Sequence, residues 1–548
     1  MKKNNTVQTV INKADTAQSI PELFCWALSS HQEQQVYFQC QRGKNNQIKY
    51  LGKTYQETAK RISSVQRFLK ITGVGAEDKV AILSQTRPEW LEADLAVLFL
   101  GAVVVSVYPT LTAQEVGYIL YDSGADIVFA ENKEQLEKLF WLEKNEFTIP
   151  PVEERKEKKV KLSFRAIITF EDTEAKDERV TSYLKILSTI DPVSLIPPNG
   201  INRDSLACLV YTSGTTGPPK GVMQTHGNHL ANIRQAWQSS LVWPSASIFL
   251  MLPLAHSFAK LMGYLGFTTA VTLKLPSIAD KSSSKINVAR VMQEMPKANA
   301  EIIPLVPRIL EKIKQTLIDK SKRDGFKNKL LSLTLKNAEV VYQTKLQGKK
   351  PALLQRLLFF LFSFMRKEIK KSIFGAKLVS IVSGGAKLNP SVAHFFESLG
   401  ITVLQGYGLT ETCVATNVNR LNANKIGTVG PVLSSDIEMK IAADGEILFK
   451  GPNIACGYYN RKQATEKAWD KEGWFHTGDL GFVDDDGYLT IVGRKKDLIV
   501  TSYGKNVAPE EIEQKLTSSP LISQAVMIGD GRPYCTALIV INKKAVEN

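Results

Sequence analysis

Apolar and polar positions alternate in a regular rhythm from Lys79 to Glu131. Three apolar runs, VAIL, AVVVSVY and DIVFAE, have the length and composition of buried strands. The segments between them, Pro88 to Gly101 and Thr112 to Ser123, have apolar residues at helical spacing. Buried strands that alternate with helices predict βα units and a largely parallel sheet. The sequence therefore predicts an α/β fold.

The same rhythm returns later in the chain and then gives way to a different pattern. Apolar strands at 207–211, 377–382 and 401–404 each lead into a glycine-rich turn. From Gly427 onward, short strands and turn signals (GTVGP, DGEILFKGP, DDDGYLTIVGR) predict a small β-rich subdomain. A chain of 548 residues exceeds what one hydrophobic core usually supports, so we expect more than one domain or subdomain.

A lysine-rich helical stretch from Arg308 to Lys371 contains the most apolar local run of the chain, Leu357 to Met365. The run is too short to cross a bilayer, which takes about 20 apolar residues. Basic residues stand on both sides of it, so a peripheral contact of residues 349–371 with a membrane surface is one interpretation. A buried helix with basic, solvent-facing flanks is the other.

Composition narrows the choice of partners and compartment. The formal charge of +15 favours anionic partners such as nucleotides, phosphorylated cofactors or acidic lipid surfaces. No DNA- or RNA-binding motif is present, so we expect no nucleic-acid partner. The six cysteines form no CxxC pair and the start of the chain has no apolar signal region, which favours a cytoplasmic protein. The charged stretch 153–161 predicts a solvated surface insertion.

The strongest chemical signal is the run VYTSGTTGPPKGVMQTH, from Val210 to His226, in which a strand leads directly into a loop of small residues. Such a loop can wrap phosphates, because glycines allow close backbone approach while hydroxyl, N–H and lysine groups bind the anion. The candidate residues are Thr212, Ser213, Gly214, Thr215, Thr216, Gly217, Lys220 and Gly221. The GxxxxGK[ST] pattern of a Walker A loop does not fit them. Composition alone is equally compatible with an ordinary turn.

The full run resembles the signature of the adenylate-forming, or AMP-binding, superfamily, whose YTSGTTGxPKG pattern is matched from Tyr211 to Gly221. Further motifs that resemble those of the same superfamily follow in its order. They are LPLAHSF (252–258), SGGAKL (383–388), QGYGLTET (405–412), GWFHTGD (473–479) and GRKKDLI (493–499). The resemblance extends over residues 53–520 and implies ATP-dependent activation of a carboxylic acid as its acyl-adenylate.

The resemblance also implies roles for individual residues. Thr212 and Glu411 would hold Mg²⁺, which prefers hard oxygen ligands, and Lys220 with its glycine-rich loop would hold the departing pyrophosphate. Tyr407 would offer adenine a flat surface, and Asp479, assisted by Arg494, would bind the ribose hydroxyls. The remaining ATP-site residues that the motifs imply are Gly384, Gly385, Ala386, Gly406, Gly408 and Thr410.

His256 would stand at the mouth of the acyl pocket, where it could orient the carboxylate as part of the catalytic set. A purely structural histidine is an equally good interpretation at that position. Lys496 matches the hinge about which the small C-terminal domain of the superfamily rotates.

The segment Leu252 to Gly263 narrows the choice of the carboxylic acid substrate. It is apolar and aromatic and contains no Asp or Glu. A buried amino-acid ammonium would lack a partner there, so an amino-acid substrate is disfavoured. The LVPRILEKI motif (305–313) and the long helical insertion after it resemble the long-chain fatty acyl-CoA synthetase subgroup. A long-chain fatty acid, ATP and coenzyme A are therefore the implied substrates, with acyl carrier protein as an alternative acceptor.

The resemblance implies a large N-terminal domain, residues 1–495, with two parallel-sheet α/β subdomains and the small β-rich subdomain. A small, shortened α+β C-terminal domain, residues 496–548, would follow the hinge. Only 52 residues follow Lys496, and none matches the late lysine that contacts the carboxylate and α-phosphate in this superfamily. A catalytically impaired acyl- or nucleotide-binding homologue is therefore an alternative, and the oligomeric state is left open.

Overall fold

The helices and strands come from a computed structural model, which describes residues 2–43, 45, 47–173, 175–212, 217–278, 284, 287–517, 519 and 521–546. The helices are α1 (Lys2–Thr16), α2 (Ile20–His31), α3 (Tyr55–Ile71), α4 (Pro88–Leu98), α5 (Ala113–Ser123), α6 (Lys133–Lys144), α7 (Tyr183–Thr189), α8 (His226–Gln238), α9 (Ser257–Thr268), α10 (Val288–Ala298), α11 (Pro307–Ser321), α12 (Phe326–Leu346), α13 (Leu353–Leu361), α14 (Ser363–Phe374), α15 (Pro390–Ser398), α16 (Lys462–Ala468), α17 (Pro509–Thr517) and α18 (Lys543–Val546).

The strands are β1 (Gln35–Arg42), β2 (Ile48–Thr54), β3 (Lys79–Leu83), β4 (Val103–Val107), β5 (Ile127–Ala130), β6 (Phe147–Ile149), β7 (Lys158–Val160), β8 (Ala166–Thr169), β9 (Val180–Ser182), β10 (Leu206–Thr212), β11 (Lys220–Thr225), β12 (Ser247–Phe249), β13 (Thr272–Leu275), β14 (Ile302–Leu305), β15 (Ser380–Ser383), β16 (Thr402–Leu409), β17 (Val414–Val418), β18 (Glu438–Ile441), β19 (Glu446–Lys450), β20 (Phe475–Val483), β21 (Leu489–Arg494), β22 (Ile499–Val500), β23 (Asn506–Val507), β24 (Ile522–Ile528) and β25 (Thr536–Ile541). Two short 3₁₀ turns, Thr410–Thr412 and Lys495–Asp497, lie beside the candidate site.

Two large, mainly parallel sheets form the frame. The first has the order β11-β10-β4-β3-β5-β8-β9, and only the edge strand β11 is antiparallel to its neighbour. The second has the order β17-β16-β15-β14-β12-β13-β1-β2, with antiparallel strands at both edges. The predicted α/β fold with two parallel-sheet subdomains is confirmed. The three apolar runs of the first sequence segment become β3, β4 and β5, and their burial on both faces explains why they are continuously apolar.

A separate four-stranded antiparallel sheet, β18-β19-β20-β21, confirms the predicted β-rich subdomain. Beyond it, β22 pairs with β23 and β24 pairs with β25, while α17 packs on β24 and touches β21. The charged insertion is exposed from residue 153 to residue 159, as predicted, although its end forms the short strand β7.

Local sequence signals set the ends of the helices that line the first sheet. The α5 helix begins with a capping box, in which the Thr112 side chain accepts from the Glu115 N–H and the Glu115 carboxylate accepts from the Thr112 N–H. It ends at Gly124, whose φ of 74° is a left-handed conformation that glycine adopts without strain. The predicted helix over 112–123 is therefore found within one residue of its expected bounds.

A buried ion pair connects helices of the two large sheets. Lys260 Nζ of α9 lies 2.9 Å from Asp94 Oδ1 of α4, and both side chains are fully buried. The Tyr264 hydroxyl donates to the other Asp94 oxygen at 2.8 Å. Burial acts to lower the pKa of Lys260, but the Asp94 carboxylate opposes it and the net shift is upward. Because α4 packs on the first sheet and α9 on the second, this pair joins the two layers.

The apolar run of the helical insertion falls in α13 and the start of α14. None of the residues of α13 is buried, although Leu358 and Phe359 are partly covered. The interpretation of this run as a buried helix is therefore wrong. Among the described residues, no helix is both long enough and apolar enough to cross a membrane.

We predict that Asp94→Asn lowers the free energy of unfolding by about 3–5 kcal/mol, because it leaves the Lys260 ammonium buried without a counter-charge. Urea denaturation followed by tryptophan fluorescence measures the change. Adding Lys260→Met should restore part of the lost stability, since it removes the orphaned charge. The exposed pair Lys462–Glu466 supplies the control, and Glu466→Gln should change the stability by less than about 0.5 kcal/mol. A loss of that small size for Asp94→Asn would contradict the role of the pair.

Candidate active site

The hairpin of β10 and β11 carries the predicted phosphate loop. Thr212 ends β10 and stands opposite Lys220, the first residue of β11. Ser213, Gly214, Thr215 and Thr216 lie outside the described residues. Gly217, where the description resumes, has a φ of 104°, a conformation that residues with a Cβ rarely adopt. The hairpin therefore brings Thr212 and Lys220 to the base of the same loop.

Tyr458 connects Lys220 to Glu411. Its hydroxyl donates to Glu411 Oε1 at 2.8 Å, and the Lys220 ammonium lies 4.8 Å from the centre of its ring. Burial lowers the pKa of Lys220, the positive charge of Lys496 lowers it further, and Glu411 opposes both. Burial also raises the pKa of Tyr458, with a further contribution from the Glu411 carboxylate, so its hydroxyl remains a donor at neutral pH. The predicted residues Lys220 and Glu411 thus belong to one cluster.

The segment Ala455–Tyr459 is held to this cluster by backbone hydrogen bonds. Ala455 N–H donates to Glu411 O at 2.8 Å, which fixes the 3₁₀ turn that carries Glu411. The Met223 N–H donates to Gly457 O at 2.9 Å, and the Tyr459 N–H donates to the Gly221 carbonyl at 2.8 Å. Three separate parts of the sequence therefore meet through main-chain contacts, independently of their side chains.

A cleft of about 190 Å³ lies beside this cluster, between the ends of β15 and β16 and the β-rich subdomain. Its lining residues are Gly385, Ala386, Lys387, Gln405, Gly406, Tyr407, Gly408, Leu409, Val429, Asp479, Ile491, Gly493, Arg494 and Glu510. Seven of the residues predicted for the nucleotide site are among them.

The polar centre of the cleft is Asp479. The Tyr407 hydroxyl donates to its Oδ2 at 2.5 Å, and Arg494 Nε lies 3.0 Å from its Oδ1. Asp479 and Arg494 are direct partners across β20 and β21, so the sheet register sets their spacing. Burial raises the pKa of Asp479 above its usual range, although Tyr407 and Arg494 act against the increase. Each carboxylate oxygen retains lone pairs that can accept from a further hydroxyl.

The glycines of the cleft differ in how strictly their conformation excludes a side chain. A Cβ at Gly408 would lie 1.6 Å from the Val414 carbonyl oxygen, which is impossible without backbone movement. Gly385 has a φ of 82° and follows Gly384 at the end of β15. The neighbouring Thr410 carbonyl accepts from the Gln224 side chain at 2.7 Å, which ties this turn to β11.

His256 has a structural role at the start of α9. It is the N-cap residue, and its Nδ1 accepts from the Phe258 N–H at 3.2 Å. Burial lowers the pKa of His256, so the ring is neutral at pH 7 and its Nε2 is the nitrogen left for another contact. Beyond it, Leu261, Met262, Leu265 and Phe267 are buried in the main hydrophobic core. Phe258 is only partly buried and approaches Gly384.

The predicted hinge residue Lys496 lies in an exposed 3₁₀ turn between β21 and β22. Its neighbour Lys495 is bound to the β-rich subdomain, with its Nζ 2.5 Å from Asp444 and 3.1 Å from Glu446. The chain beyond the turn returns to the cleft, because Glu510 of α17 is one of the lining residues. Burial raises the pKa of Glu510, Lys387 opposes the shift and Asp479 adds to it.

Tyr458 and Glu510 are two polar residues of the site that the sequence motifs did not indicate. Tyr458 lies in the run GYY after a GP turn, a signal that identifies a strand end but not a contact with Glu411. Glu510 belongs to the charged start of an amphipathic helix, where glutamates are usually solvated. Only the tertiary arrangement places either one at the site.

The donor set fits a divalent cation beside a phosphate group. Glu411 offers a carboxylate, and among the described residues only its Oε1 has a partner, from Tyr458. Thr212 adds a hydroxyl at the end of β10 on the same hairpin as Lys220. Oxygen donors of this kind are those that Mg²⁺ prefers. A flat aromatic ring and an acceptor carboxylate in the adjoining cleft suit a nucleoside.

Solved structures identify the fold. The chain superimposes on the anthranilate CoA ligase AuaEII, in complex with anthranoyl-AMP, with a TM-score of 0.71 at 18% identity over 98% of this chain and 90% of that one. The o-succinylbenzoate CoA synthetase of Bacillus subtilis, in complex with its acyl-adenylate intermediate, gives a TM-score of 0.67 at 21% identity over 95% and 88%. The fold is that of the adenylate-forming enzymes.

Sequence comparison gives the family. The model of the AMP-binding enzymes matches residues 37–459, and the model of their C-terminal domain matches residues 496–548. The chain belongs to the AMP-binding enzyme family.

Curated relatives are similar over most of their length. The long-chain-fatty-acid–CoA ligase FadD15 of Mycobacterium bovis is 34% identical over 497 residues, which cover 90% of this chain and 78% of the relative. The long-chain-fatty-acid–CoA ligase heimdall of Drosophila melanogaster is 28% identical over 90% of this chain and 72% of the relative.

We predict that Gly408→Ala weakens AMP binding by more than about tenfold, because the new Cβ forces the backbone beside Tyr407 to move. Isothermal titration calorimetry measures the affinity, and thermal unfolding reports whether the fold survives. Gly493→Ala is the matched control from the same cleft, since its Cβ would meet only Ala508 Cβ at 3.7 Å, an ordinary contact. Equal AMP affinities for the two variants would contradict the proposed constraint.

Proposed function

We propose that the chain activates a long-chain fatty acid with ATP, releasing pyrophosphate, and transfers the acyl group to coenzyme A. The observation that carries the proposal is the cluster of Glu411, Tyr458 and Lys220 at the base of the phosphate loop. Beside it lies the cleft that contains Tyr407, Asp479 and Arg494. This arrangement offers separate places for a triphosphate and a nucleoside. The similarity to two long-chain-fatty-acid–CoA ligases supports the choice of acid.

In the first half-reaction, a carboxylate oxygen of the acid attacks the α-phosphorus of ATP, and the bond from that phosphorus to the bridging oxygen of pyrophosphate breaks. Lys220 and the loop after Thr212 hold the phosphate oxygens, where negative charge accumulates. Thr212 and Glu411 would hold Mg²⁺, which neutralises that charge when bound. The Tyr458 hydroxyl keeps the Glu411 carboxylate in its observed direction.

The nucleoside end of ATP is held in the cleft. Tyr407 presents its ring to adenine, and Gly385 and Ala386 line the same cleft. The free lone pairs of Asp479 accept from the ribose hydroxyls, while Tyr407 and Arg494 oppose the rise that burial causes in the pKa of this carboxyl group. These contacts position the α-phosphorus for in-line attack but take no part in bond making.

In the second half-reaction, the thiolate of coenzyme A attacks the acyl carbonyl carbon and AMP leaves. We propose that residues 496–548 form a mobile domain that turns at Lys496 between the two steps, relative to residues 1–495. The exposed turn at Lys496 and the Lys495 ion pairs next to it support a pivot at this point. His256 Nε2 remains available to orient the acid or its adenylate.

The free thiols of all six cysteines are consistent with a reducing, cytoplasmic location for this reaction. Acyl carrier protein carries the same thiol group as coenzyme A, and parallel assays with both acceptors decide between them. Product formation with coenzyme A alone is the expected result.

We predict that Glu411→Gln lowers the rate of ATP- and acid-dependent pyrophosphate release by at least about a hundredfold, because one charge is removed from the metal site without a change of shape. Tyr458→Phe should give a smaller loss that is partly recovered at high Mg²⁺ concentration, since it removes only the group that orients Glu411. The exposed Glu438 supplies the control, and Glu438→Gln should leave the rate unchanged. Near-normal release by folded Glu411→Gln would rule out the proposed metal role.

We further predict that kcat/KM rises with acyl chain length, by up to roughly fourfold per CH₂, until the acyl pocket is filled. Pyrophosphate release with acetate, octanoate, palmitate, benzoate and an amino acid measures the preference. If acetate, benzoate or the amino acid gives a higher kcat/KM than every acid longer than about ten carbons, the long-chain assignment is wrong. Adenylate formation itself would still be supported by that result.

A further inference from the structure

Helix α13 presents an apolar stripe to the solvent. Its exposed apolar residues recur at i, i+1, i+4, i+7 and i+8, the spacing of one helix face. They are Leu353, Leu354, Leu357, Phe360 and Leu361, and Phe364 continues the stripe into α14. Leu353 is 81% exposed and Phe360 is 74% exposed. Helices on protein surfaces normally place polar residues on this face, so the stripe needs an explanation outside the core.

The opposite face already attaches α13 to the protein. Phe359 packs against the core of the second sheet, and the Arg366 guanidinium lies 3.5 Å from the centre of its ring. Asn337 of α12 donates to the Gln355 carbonyl at 3.2 Å. These contacts fix which side of α13 faces inward. The outward stripe is therefore set by the fold and does not result from an unattached helix.

Positive charge surrounds the stripe. Residues 326–374 contain eleven Lys and Arg side chains but only two Glu, a net charge of +9 out of +15 for the whole chain. The basic residues that are exposed close to α13 are Lys345, Lys349, Lys350, Arg356, Lys367 and Lys371. Apolar side chains flanked by long basic ones match the two zones of a bilayer surface, the acyl boundary and the anionic headgroups.

We infer that α13 and the start of α14 form a docking surface for an anionic lipid bilayer, in which Leu357 and Phe360 enter the acyl boundary and the basic side chains contact headgroups. The charge distinguishes this partner from a second copy of the chain, because two surfaces with a net charge of +9 would repel each other. The inference goes beyond the proposed ligation and requires no step of it.

Sedimentation with lipid vesicles tests the inference in the absence of ATP and fatty acid. The full chain should bind vesicles that contain phosphatidylglycerol and bind phosphatidylcholine vesicles much more weakly, and the binding should fall with salt. The double variant Leu357→Glu/Phe360→Glu should reduce binding to the anionic vesicles by roughly tenfold or more. Binding as strong as that of the unmodified chain would overturn the inference, as would failure of the unmodified chain to bind anionic vesicles.

A matched control replaces two apolar residues outside α13, of similar exposure, by glutamate. Leu184 and Ile196 are 53% and 71% exposed, against 55% and 74% for Leu357 and Phe360. Leu184→Glu/Ile196→Glu should bind vesicles as the unmodified chain does. An equal loss in this control would show that added negative charge alone is responsible and would overturn the assignment to α13.

The basic component is tested separately. Arg356→Gln/Lys367→Gln/Lys371→Gln should weaken binding to anionic vesicles and reduce its salt dependence. The matched triple variant replaces the exposed Lys156, Lys159 and Lys161 by Gln and should have little effect on vesicle binding.

Sedimentation equilibrium of the unmodified chain and the Leu357→Glu/Phe360→Glu variant tests whether a second copy of the chain covers the stripe instead. A dimer that this variant converts to a monomer would assign the stripe to a second copy of the chain and overturn the inference.

Discussion

The geometry of the candidate site depends on the short segment Ala455–Tyr459. Its main chain bonds to the β10–β11 hairpin and to the turn that carries Glu411, and its Tyr458 side chain contacts both Lys220 and Glu411. Together with the bond from the Gln224 side chain to the Thr410 carbonyl, these bonds hold the strand that begins at Lys220 beside the turn that carries Glu411. Main-chain hydrogen bonds hold such groups at fixed distances before any substrate arrives, which is the condition for electrostatic stabilisation of a phosphoryl transition state.

The neighbouring cleft is positioned by the pairing of strands in two sheets. The ends of the parallel strands β15 and β16 deliver the segments 384–386 and 406–410 to one edge of a sheet, where open α/β sheets usually bind ligands. The antiparallel pair β20–β21 supplies Asp479 and Arg494 as cross-strand neighbours. The cleft is thus formed where two sheets of different type meet. Burial there raises the pKa of Asp479, and the contacts with Tyr407 and Arg494 oppose that rise.

Much of this could be predicted from the sequence, and the reasons for the failures are physical. Strands such as β3 and β4 are buried on both faces, so their composition alone revealed a parallel sheet. Residues such as Glu411 and Asp479 lie in short sequence motifs, so the motifs alone were enough to identify them as candidate site residues. Tyr458 could not be recognised, because its role is a contact with a turn 47 positions away. The interpretation of α13 as a buried helix was wrong, because the hydrophobicity of a run does not show whether the rest of the fold covers it.

The distribution of charge corrects the simplest interpretation of the composition. A net +15 suggested a basic surface that attracts nucleotides, but +9 of it lies in residues 326–374. The cleft itself is nearly balanced, with Lys387 and Arg494 against Asp479 and Glu510. Specific binding of a nucleotide there requires a few groups at fixed positions, not a strong overall field. The concentration of basic residues around the apolar stripe of α13 therefore calls for a partner of its own, and a flat anionic surface fits it better than a small ligand in a cleft.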